Sequence, residues 1–360
     1  MENYIQFQLL VNSGIKVTKM LKSKNILTVA IICLCLNNAN TAFGKDVGVV
    51  LSKIIGSNKA AVPQKKNAVA NFKQGTNLYK QGDLKGAEAA FRKAIEQEPN
   101  FAQAYIALAN TLNDQGKPQQ AIAQYNKAIS FDPKDSGAYL NLGLTLARLN
   151  QLEAAIAQYK KALSLDPNYA DAHYNLGNAL YAQGKPAEAV AEYTATIRLE
   201  PKNPAGYNAL GNILYAQGNL EEAIAQYKQA ISFDPNYVEA HYNLASAFYA
   251  QGKLTEAIAD YTEAIRLDPK HAQAHTGLAN AMDDQGKSEE AIAHYKKAIS
   301  LVPNDAYTYY NLGITLGREQ QLEEAIVNLK KAKELFQAEE NKEMVEQVDQ
   351  LIQKINTRTN

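Results

Sequence analysis

Tryptophan is absent from this chain of 360 residues, and cysteine occurs only twice. Both cysteines, Cys33 and Cys35, lie in one apolar run near the N-terminus. If that run is removed, no cysteine is left, and disulfides and thiol redox chemistry are excluded. Neither sign of charge is in excess, because 37 basic residues balance 37 acidic ones. The composition therefore gives no argument for a nucleic-acid partner.

Motifs that carry catalysis are missing too. The sequence has no HExxH, no spaced Cys/His set, no GxSxG elbow and no glycine-rich phosphate loop. The five histidines stand in positions where structural roles are expected, and the carboxylates recur at turns and helix starts, where they cap and solvate. We therefore predict a protein that is not an enzyme, with no cofactor and no metal.

The N-terminal residues have the pattern of a targeting signal. Four lysines precede the apolar run 26–36, and small residues follow it up to Ala42. This order is typical of a secretory signal peptide, and the run is short against the roughly 20 residues of a membrane span. We predict a signal peptide at 1–42, a linker at 43–67 and an exported protein, periplasmic or secreted. The alternative is a membrane anchor formed by residues 26–36. Whether Met1 or Met20 is the true start, and whether the leader is cleaved, stay open.

A period of 34 residues runs through the rest of the chain. Prolines mark it at Pro99, Pro133, Pro167, Pro201, Pro235, Pro269 and Pro303. With each proline taken as position 32, eight repeats follow one another: 68–101, 102–135, 136–169, 170–203, 204–237, 238–271, 272–305 and 306–339. Such a period predicts stacked small units in place of one globular core.

Each repeat contains two helical stripes separated by a stop signal. Position 20 is always alanine, position 24 is mostly tyrosine and position 27 is mostly alanine, so these residues share one face of a second helix, helix B. Positions 4, 7, 8 and 11 form a similar face on a first helix, helix A. Glycine at position 15 of six repeats ends helix A, whereas Asn150 fits that role less well and Gln320 poorly.

These residues resemble the tetratricopeptide repeat (TPR), a helix hairpin with an aromatic, Leu-Gly, Tyr, Ala, aromatic, Ala and Pro at set positions. The resemblance covers 68–339. It implies an all-α fold, a right-handed superhelical α-solenoid with helix A on the concave side and helix B outside. An apolar stripe in 340–360 predicts a C-terminal capping helix and tail that cover the last repeat.

The concave groove is the candidate binding surface. At about 100° per residue, positions 2, 6, 9 and 13 of helix A point away from its core face, and positions 5 and 12 flank them. Asparagine and tyrosine recur there, and an amide can both donate to and accept from an extended peptide backbone. Asparagine at these positions can also simply link adjacent helices. The predicted groove residues are Asn110, Asn141, Asn175, Asn178, Asn208, Asn212, Asn243, Asn280, Asn311, Tyr174, Tyr181, Tyr215, Tyr242 and Tyr249.

Three functions fit this pattern. The first is a non-catalytic scaffold that binds an extended peptide or protein segment in the groove. The second is a structural assembly subunit that packs through its ends or outer face, and the third is an envelope or polysaccharide assembly factor. A membrane enters only if the N-terminal apolar segment is uncleaved, and the partner, the pathway and the oligomeric state stay open. No three successive repeats carry the Lys/Asn/Arg set that binds acidic C-terminal tails, since Asn208 stands where a lysine is needed.

Overall fold

The computed structural model describes residues 66–359, and helices are the only regular secondary structure in that range. The predicted signal peptide or anchor and residues 43–65 of the predicted linker lie outside it. None of the helices in this range is both long and apolar enough to span a bilayer. The described residues fall into two compact units, an N-terminal unit at 66–201 and a C-terminal unit at 202–359.

The N-terminal unit contains four helix pairs. They are α1 (Lys66–Lys80) with α2 (Leu84–Gln97), α3 (Ala102–Asp114) with α4 (Pro118–Phe131), α5 (Ser136–Arg148) with α6 (Leu152–Leu165), and α7 (Ala170–Ala182) with α8 (Pro186–Leu199).

The C-terminal unit contains four more pairs and one further helix. They are α9 (Pro204–Ala216) with α10 (Leu220–Phe233), α11 (Val238–Ala250) with α12 (Leu254–Leu267), α13 (Ala272–Asp284) with α14 (Ser288–Leu301), α15 (Ala306–Arg318) with α16 (Leu322–Ala338), and finally α17 (Lys342–Thr359). The predicted all-α solenoid of TPR hairpins is confirmed.

Helix A ends where the sequence places its stop signal. At the end of α3, Gly116 has a φ of 75°. Its N–H donates to the carbonyl of Asn113, and the N–H of Lys117 donates to the carbonyl of Leu112. This pair of bonds satisfies carbonyls that the helix end would leave open. Asn150 and Gln320 hold the same left-handed turn without glycine, with φ angles of 60° and 59°.

A tyrosine ring from helix B fills the centre of each typical hairpin. Tyr159 is 1% exposed and lies against Gly143 of helix A. A Cβ built on Gly143 would come within 2.5 Å of the Tyr159 ring. Ala155, one turn before Tyr159, is fully buried on the same face. The small residue at position 8 therefore permits the close packing that the repeat pattern predicts.

The last hairpin of the C-terminal unit is covered by α17. Because Gln337 replaces the usual proline, α16 continues for 17 residues and brings Phe336 into the core. The Phe336 ring meets Tyr307 edge-on at a centroid distance of 4.8 Å. From α17, Met344 and Val348 are buried in the same cluster. This helix thus buries the apolar side of repeat eight that a terminal repeat would otherwise expose.

Candidate functional site

A buried hydroxyl from helix B holds an amide of helix A in four repeats. In each case the tyrosine at position 24 donates to Oδ1 of the asparagine at position 9, 15 residues earlier in the chain. The O···O distances are 2.5 Å for Tyr125–Asn110, 2.6 Å for Tyr193–Asn178, 2.9 Å for Tyr227–Asn212 and 2.7 Å for Tyr295–Asn280. Burial of these hydroxyls without a partner would be costly, so the amide completes the core.

These bonds also fix which side of the amide remains available. Oδ1 of Asn110, Asn178 and Asn212 is occupied by tyrosine, and no acceptor among residues 66–359 takes a hydrogen bond from their Nδ2 atoms. All three side chains are half-buried. An amide nitrogen carries two N–H donors and no acceptor. Three predicted groove residues therefore present donors only.

Repeats six and seven of the C-terminal unit differ in the hydrogen bonds of the side chain at position 9. Ser246 replaces asparagine at position 9, and its Oγ lies 3.0 Å from the Tyr261 hydroxyl. Asn280 is 6% exposed, and its Oδ1 accepts from both Tyr295 and Asn311, the latter at 3.0 Å. The Nδ2 of Asn280 is buried without a partner among the described residues. Asn280 is therefore closed to a ligand in this conformation.

The remaining predicted asparagines bond to neighbouring helices or to their own backbone. Asn243 donates to Oδ1 of Asn208 at 3.0 Å and so links α11 to α9. Asn208 is only 2% exposed. Asn175 donates to the carbonyl of Asp171 at 2.7 Å, while Asn141 is half-buried. The linking role that asparagine can have at these positions accounts for the Asn243–Asn208 and Asn311–Asn280 contacts.

The five predicted tyrosines divide by burial. Tyr181 and Tyr242 are 9% and 4% exposed, so they lie in the core instead of offering an open surface. Tyr242 packs against the ring of Tyr261 at a centroid distance of 5.8 Å. Tyr174, Tyr215 and Tyr249 are half-buried, and only these keep the partial exposure that ligand contact requires.

A cluster of charged and polar side chains lies at the C-terminal ends of helices α11, α13 and α15. Tyr249 donates to Oδ2 of Asp284 at 2.6 Å. The neighbouring Asp283 accepts from Arg318 and, at 2.9 Å, from the Thr315 hydroxyl. Burial, aided by the bond to Asp284, raises the pKa of Tyr249, so its hydroxyl remains the donor. The cluster joins three successive repeats.

The N-terminal unit carries a counterpart five repeats earlier in the sequence. There Tyr79 donates to Asp114. Asn113 stands in place of Asp283 and donates to Thr145 at 2.7 Å. Its Oδ1 is buried without a partner, because Pro118 occupies the position from which Ser288 donates to Asp283 in the other cluster.

Sequence reasoning placed the amides on helix A but missed the tyrosines that hold them. The signal was present, since asparagine or serine at position 9 occurs only in repeats with tyrosine at position 24. Within residues 66–359, no group of three or more histidine, cysteine or acidic side chains could hold a metal ion. The arrangement offers hydrogen-bond donors and charges on helix A, which suits binding of a polar ligand.

Many solved structures are similar to this chain, and three of them illustrate the likeness. The APC/C hetero-tetramer Cut9–Hcn1 gives a TM-score of 0.59 at 18% identity over 76% of this chain. The chain spans about half, 52%, of the Cut9–Hcn1 chain that it matches. A tetratricopeptide repeat protein from Parabacteroides merdae gives 0.56 at 21% identity, covering 70% of this chain and all of that one. PilF of Pseudomonas aeruginosa gives 0.53 at 21% identity, over 62% and 98%. These likenesses support the fold.

Sequence families give the same result. No curated protein matches the chain. Family models described as "TPR repeat" match residues 145–184, 177–218 and 211–252. Models described as "Tetratricopeptide repeat" match 72–136 and 242–306, and also 124–157 and 294–327. These matches cover 72–327 without a gap, and the hairpins described above repeat throughout that range. The chain belongs to the tetratricopeptide repeat family.

Proposed function

We propose that this protein is a non-catalytic scaffold that binds an extended segment of a protein partner along the helix A faces of its repeats. Members of the tetratricopeptide repeat family generally bind protein or peptide partners, and the matches along the chain support that general role. The binding of an extended peptide and the residues that contact it are specific to the proposal.

The observation that carries the proposal is the set of amides held by buried tyrosines. Asn110, Asn178 and Asn212 have Oδ1 occupied and Nδ2 available, at half-buried positions of helix A. Because each tyrosine hydroxyl is fixed in the core, its amide is oriented before a ligand arrives, which lowers the entropy lost on binding. Donors of this kind suit the carbonyl oxygens of an extended backbone, which every peptide presents regardless of its sequence.

Side-chain selectivity would come from the charged clusters. Asp114, Asp284 and Arg318 are exposed at the ends of their helices. Opposite charges on a partner would add orientation and faster association, as complementary charges do at other interfaces. Asp284 and Arg318 both belong to the C-terminal unit, so the proposed ligand of that unit is an extended polypeptide with both basic and acidic side chains.

Substitution by serine tests the amides without disturbing the core. Ser246 already occupies position 9 in repeat six and lies within hydrogen-bond distance of Tyr261. The double variant Asn110→Ser, Asn178→Ser in the N-terminal unit should therefore keep a partner for each tyrosine but lose both Nδ2 donors. We expect affinity capture of the partner from the protein's own compartment to fall about tenfold or more, with circular dichroism unchanged.

The matched control is Asn126→Ser on helix B, where the asparagine is exposed on the other helix of the hairpin. Capture by this variant should equal that of the wild type. If the double variant captures the partner as well as the wild type does, the amides play no part in binding. Equal loss in the control would point to a surface outside helix A.

We also propose that the protein is exported, with the N-terminal 42 residues acting as its signal. The basic residues, the short apolar run and the small residues before Phe43 support this proposal. N-terminal sequencing of the mature protein should find Phe43 as the first residue. A mature chain that retains residues 26–36 and pellets with membranes would favour the anchor instead.

A further inference from the structure

A hydrogen bond fastens each of five repeats to the end of the one before it. The side chain at position 4 of helix A, through its hydroxyl in tyrosine or a ring nitrogen in histidine, donates to the carbonyl oxygen of the proline at position 32 of the preceding repeat, and we name this contact the proline latch. The distances are 3.1 Å for Tyr105–Pro99, 3.4 Å for Tyr139–Pro133, 3.1 Å for His173–Pro167, 3.1 Å for His241–Pro235 and 3.3 Å for His275–Pro269. In the histidine latches the contacting atom is Nε2.

The carbonyl oxygen can only accept, so a histidine latch requires a proton on Nε2. In His241 the other ring nitrogen, Nδ1, lies 2.9 Å from Oδ1 of Asp260 on helix B. A carboxylate also only accepts, so Nδ1 must carry a proton as well. Both contacts of His241 are therefore satisfied only by the charged imidazolium. His173 has the same arrangement with Glu192 at 2.6 Å. In both cases the carboxylate belongs to helix B of the same repeat, and we name this contact within a hairpin the joint of that repeat.

The joint of repeat seven has the opposite requirement. Nδ1 of His275 lies 3.0 Å from Nδ1 of His294, with the two rings stacked at a centroid distance of 5.3 Å. Only one proton can lie between the two nitrogens. If both rings become charged, two N–H groups face each other, and the hydrogen bond turns into a repulsion of like charges.

The charged groups around each ring agree with these assignments. Asp260 and Glu263 of helix B both raise the pKa of His241, and they do so against the effect of its burial. Burial is the main cause that lowers the pKa of His275, and the charge of Lys297 on helix B lowers it further. Asp268 and the Pro269 carbonyl have the opposite effect on this pKa.

His294 and His271 complete the surroundings of this joint. Burial and then the charge of His275 lower the pKa of His294, against an opposing effect of Glu290 one turn away. His271, at the start of α13, has its pKa lowered by burial, and its Nδ1 caps the helix by accepting from the N–H of Ala274. His271 therefore supplies no negative charge that would stabilise a charged His275.

We propose that the joint of repeat seven, between α13 and α14, is a pH-sensitive hinge, which the His275–His294 pair keeps closed near neutral pH and opens in mild acid. The joint of repeat six, between α11 and α12, where His241 meets Asp260, responds in the opposite sense and is tighter in acid. This inference concerns the joints and does not depend on the proposed binding surface.

The direction in which each joint responds to pH follows from the linkage between protonation and folding. His241 has a raised pKa in the folded chain, so its contribution to stability is complete below the unfolded pKa of about 6.5 and is lost as pH rises through the folded value. His275 and His294 have lowered values. Their joint is at full stability above about pH 6.5 and loses it as pH falls toward the folded values, because the unfolded chain binds protons more readily.

Hydrogen–deuterium exchange of the full chain, read by mass spectrometry on peptides from each joint, tests this hinge. Protection factors, corrected for the intrinsic effect of pH, would be compared at about pH 7.5 and about pH 5. We expect protection at the start of α13 to fall several-fold in acid, while protection at the start of α11 rises.

Exchanging the two partners should exchange the two responses. His294→Asp gives His275 the carboxylate that His241 has, so this joint should become tighter in acid. Asp260→His should make the joint of His241 open in acid. His275→Tyr, which copies the latch of Tyr105, should remove the part of the pH response that the His275–His294 pair gives. Made together with His271→Asn, which keeps a helix cap that does not titrate, it should leave protection at the start of α13 nearly independent of pH. This variant still decides the matter if an exchange variant is poorly folded.

Protection at the start of α13 that is equal at the two pH values in the wild type would overturn the proposal. So would a His294→Asp chain that loses protection in acid as the wild type does, or a His275→Tyr chain that keeps the full pH response. Capture of a partner is not measured in this experiment, so its outcome is separate from that of the proposed binding function.

Discussion

Tyr227, which is 1% exposed, donates its hydroxyl proton to Oδ1 of Asn212 at 2.9 Å. The same two positions are matched in other repeats. Tyr261 meets Ser246, whereas in repeat eight Leu329 replaces the tyrosine and the apolar Ile314 replaces the asparagine. Asparagine or serine at position 9 of helix A therefore occurs only in repeats with tyrosine at position 24 of helix B, and the buried hydroxyl explains that preference. The preference is one-sided, since repeat three has Tyr159 with Leu144.

Removal of the acceptor should cost more than removal of the pair. Asn212→Ala leaves the Tyr227 hydroxyl buried without a partner, and we expect the free energy of unfolding to fall by about 1–3 kcal/mol. Addition of Tyr227→Phe should restore part of that loss, because no polar group is then left unsatisfied. Urea unfolding of the two single variants and the double variant, followed by circular dichroism, gives the coupling between the residues.

Asn212→Ser is the control for this cycle, since Ser246 shows that serine reaches the tyrosine hydroxyl. It should stay within about 1 kcal/mol of the wild type. Strictly additive effects of Asn212→Ala and Tyr227→Phe would mean that the hydrogen bond contributes nothing, and the proposal that tyrosine orients the amide would lose its basis.

Two glycines inside helices should respond to alanine in opposite directions. A Cβ on Gly277 would lie 2.5 Å from the Tyr261 ring of the preceding repeat, whereas the nearest atom to a Cβ on Gly317 is 3.6 Å away. We expect Gly277→Ala to lower the free energy of unfolding by about 1–3 kcal/mol through overpacking. Gly317→Ala should raise it by up to about 1 kcal/mol, because alanine favours the helix.

Urea unfolding measures both variants, and each serves as the control for the other because both substitutions add one methyl group to helix A. A stability gain in both would mean that the packing of repeat seven on repeat six can loosen at little cost. Tyr261 would then be less firmly packed than its full burial indicates.

The repeat pattern could predict the parts of this fold that depend on shape. Ala155 and Tyr159 are buried as their spacing on helix B predicts, and the glycines at position 15 adopt positive φ angles. Shape recurs with the period, because each hairpin packs in the same way against the next. Local geometry at a repeat therefore follows from the residues at a few positions.

The candidate site depends on contacts between helices, and the angle of a residue around its own helix cannot predict these contacts. Treating helix A as an isolated cylinder placed Tyr242 beside the groove, but the Tyr261 and His271 rings pack against it, and Tyr242 is buried. The orientation of each amide depends on a hydroxyl 15 residues away on another helix. Likewise, the pairing of His275 with His294 depends on which side chain helix B places opposite position 4.

Gln320 offers the last prediction, because it holds a left-handed turn for which six other repeats use glycine. Its φ is 59°, a conformation that costs a residue with a Cβ about 1 kcal/mol or more. Gln320→Gly removes that strain, although glycine is also more flexible in the unfolded chain. We expect a net gain of about 0.5–1 kcal/mol in the free energy of unfolding, measured by urea denaturation.

Two further substitutions separate strain from a general effect of glycine. Asn150→Gly, at the same turn of repeat three, should gain less than Gln320→Gly, because asparagine tolerates the left-handed region better than glutamine does. Glu319→Gly, one residue earlier at a φ of −77°, should lower stability by about 0.5–1 kcal/mol. If Gln320→Gly lowers stability as Glu319→Gly does, the positive φ stores no strain, and the glutamine is held there by favourable contacts of its side chain.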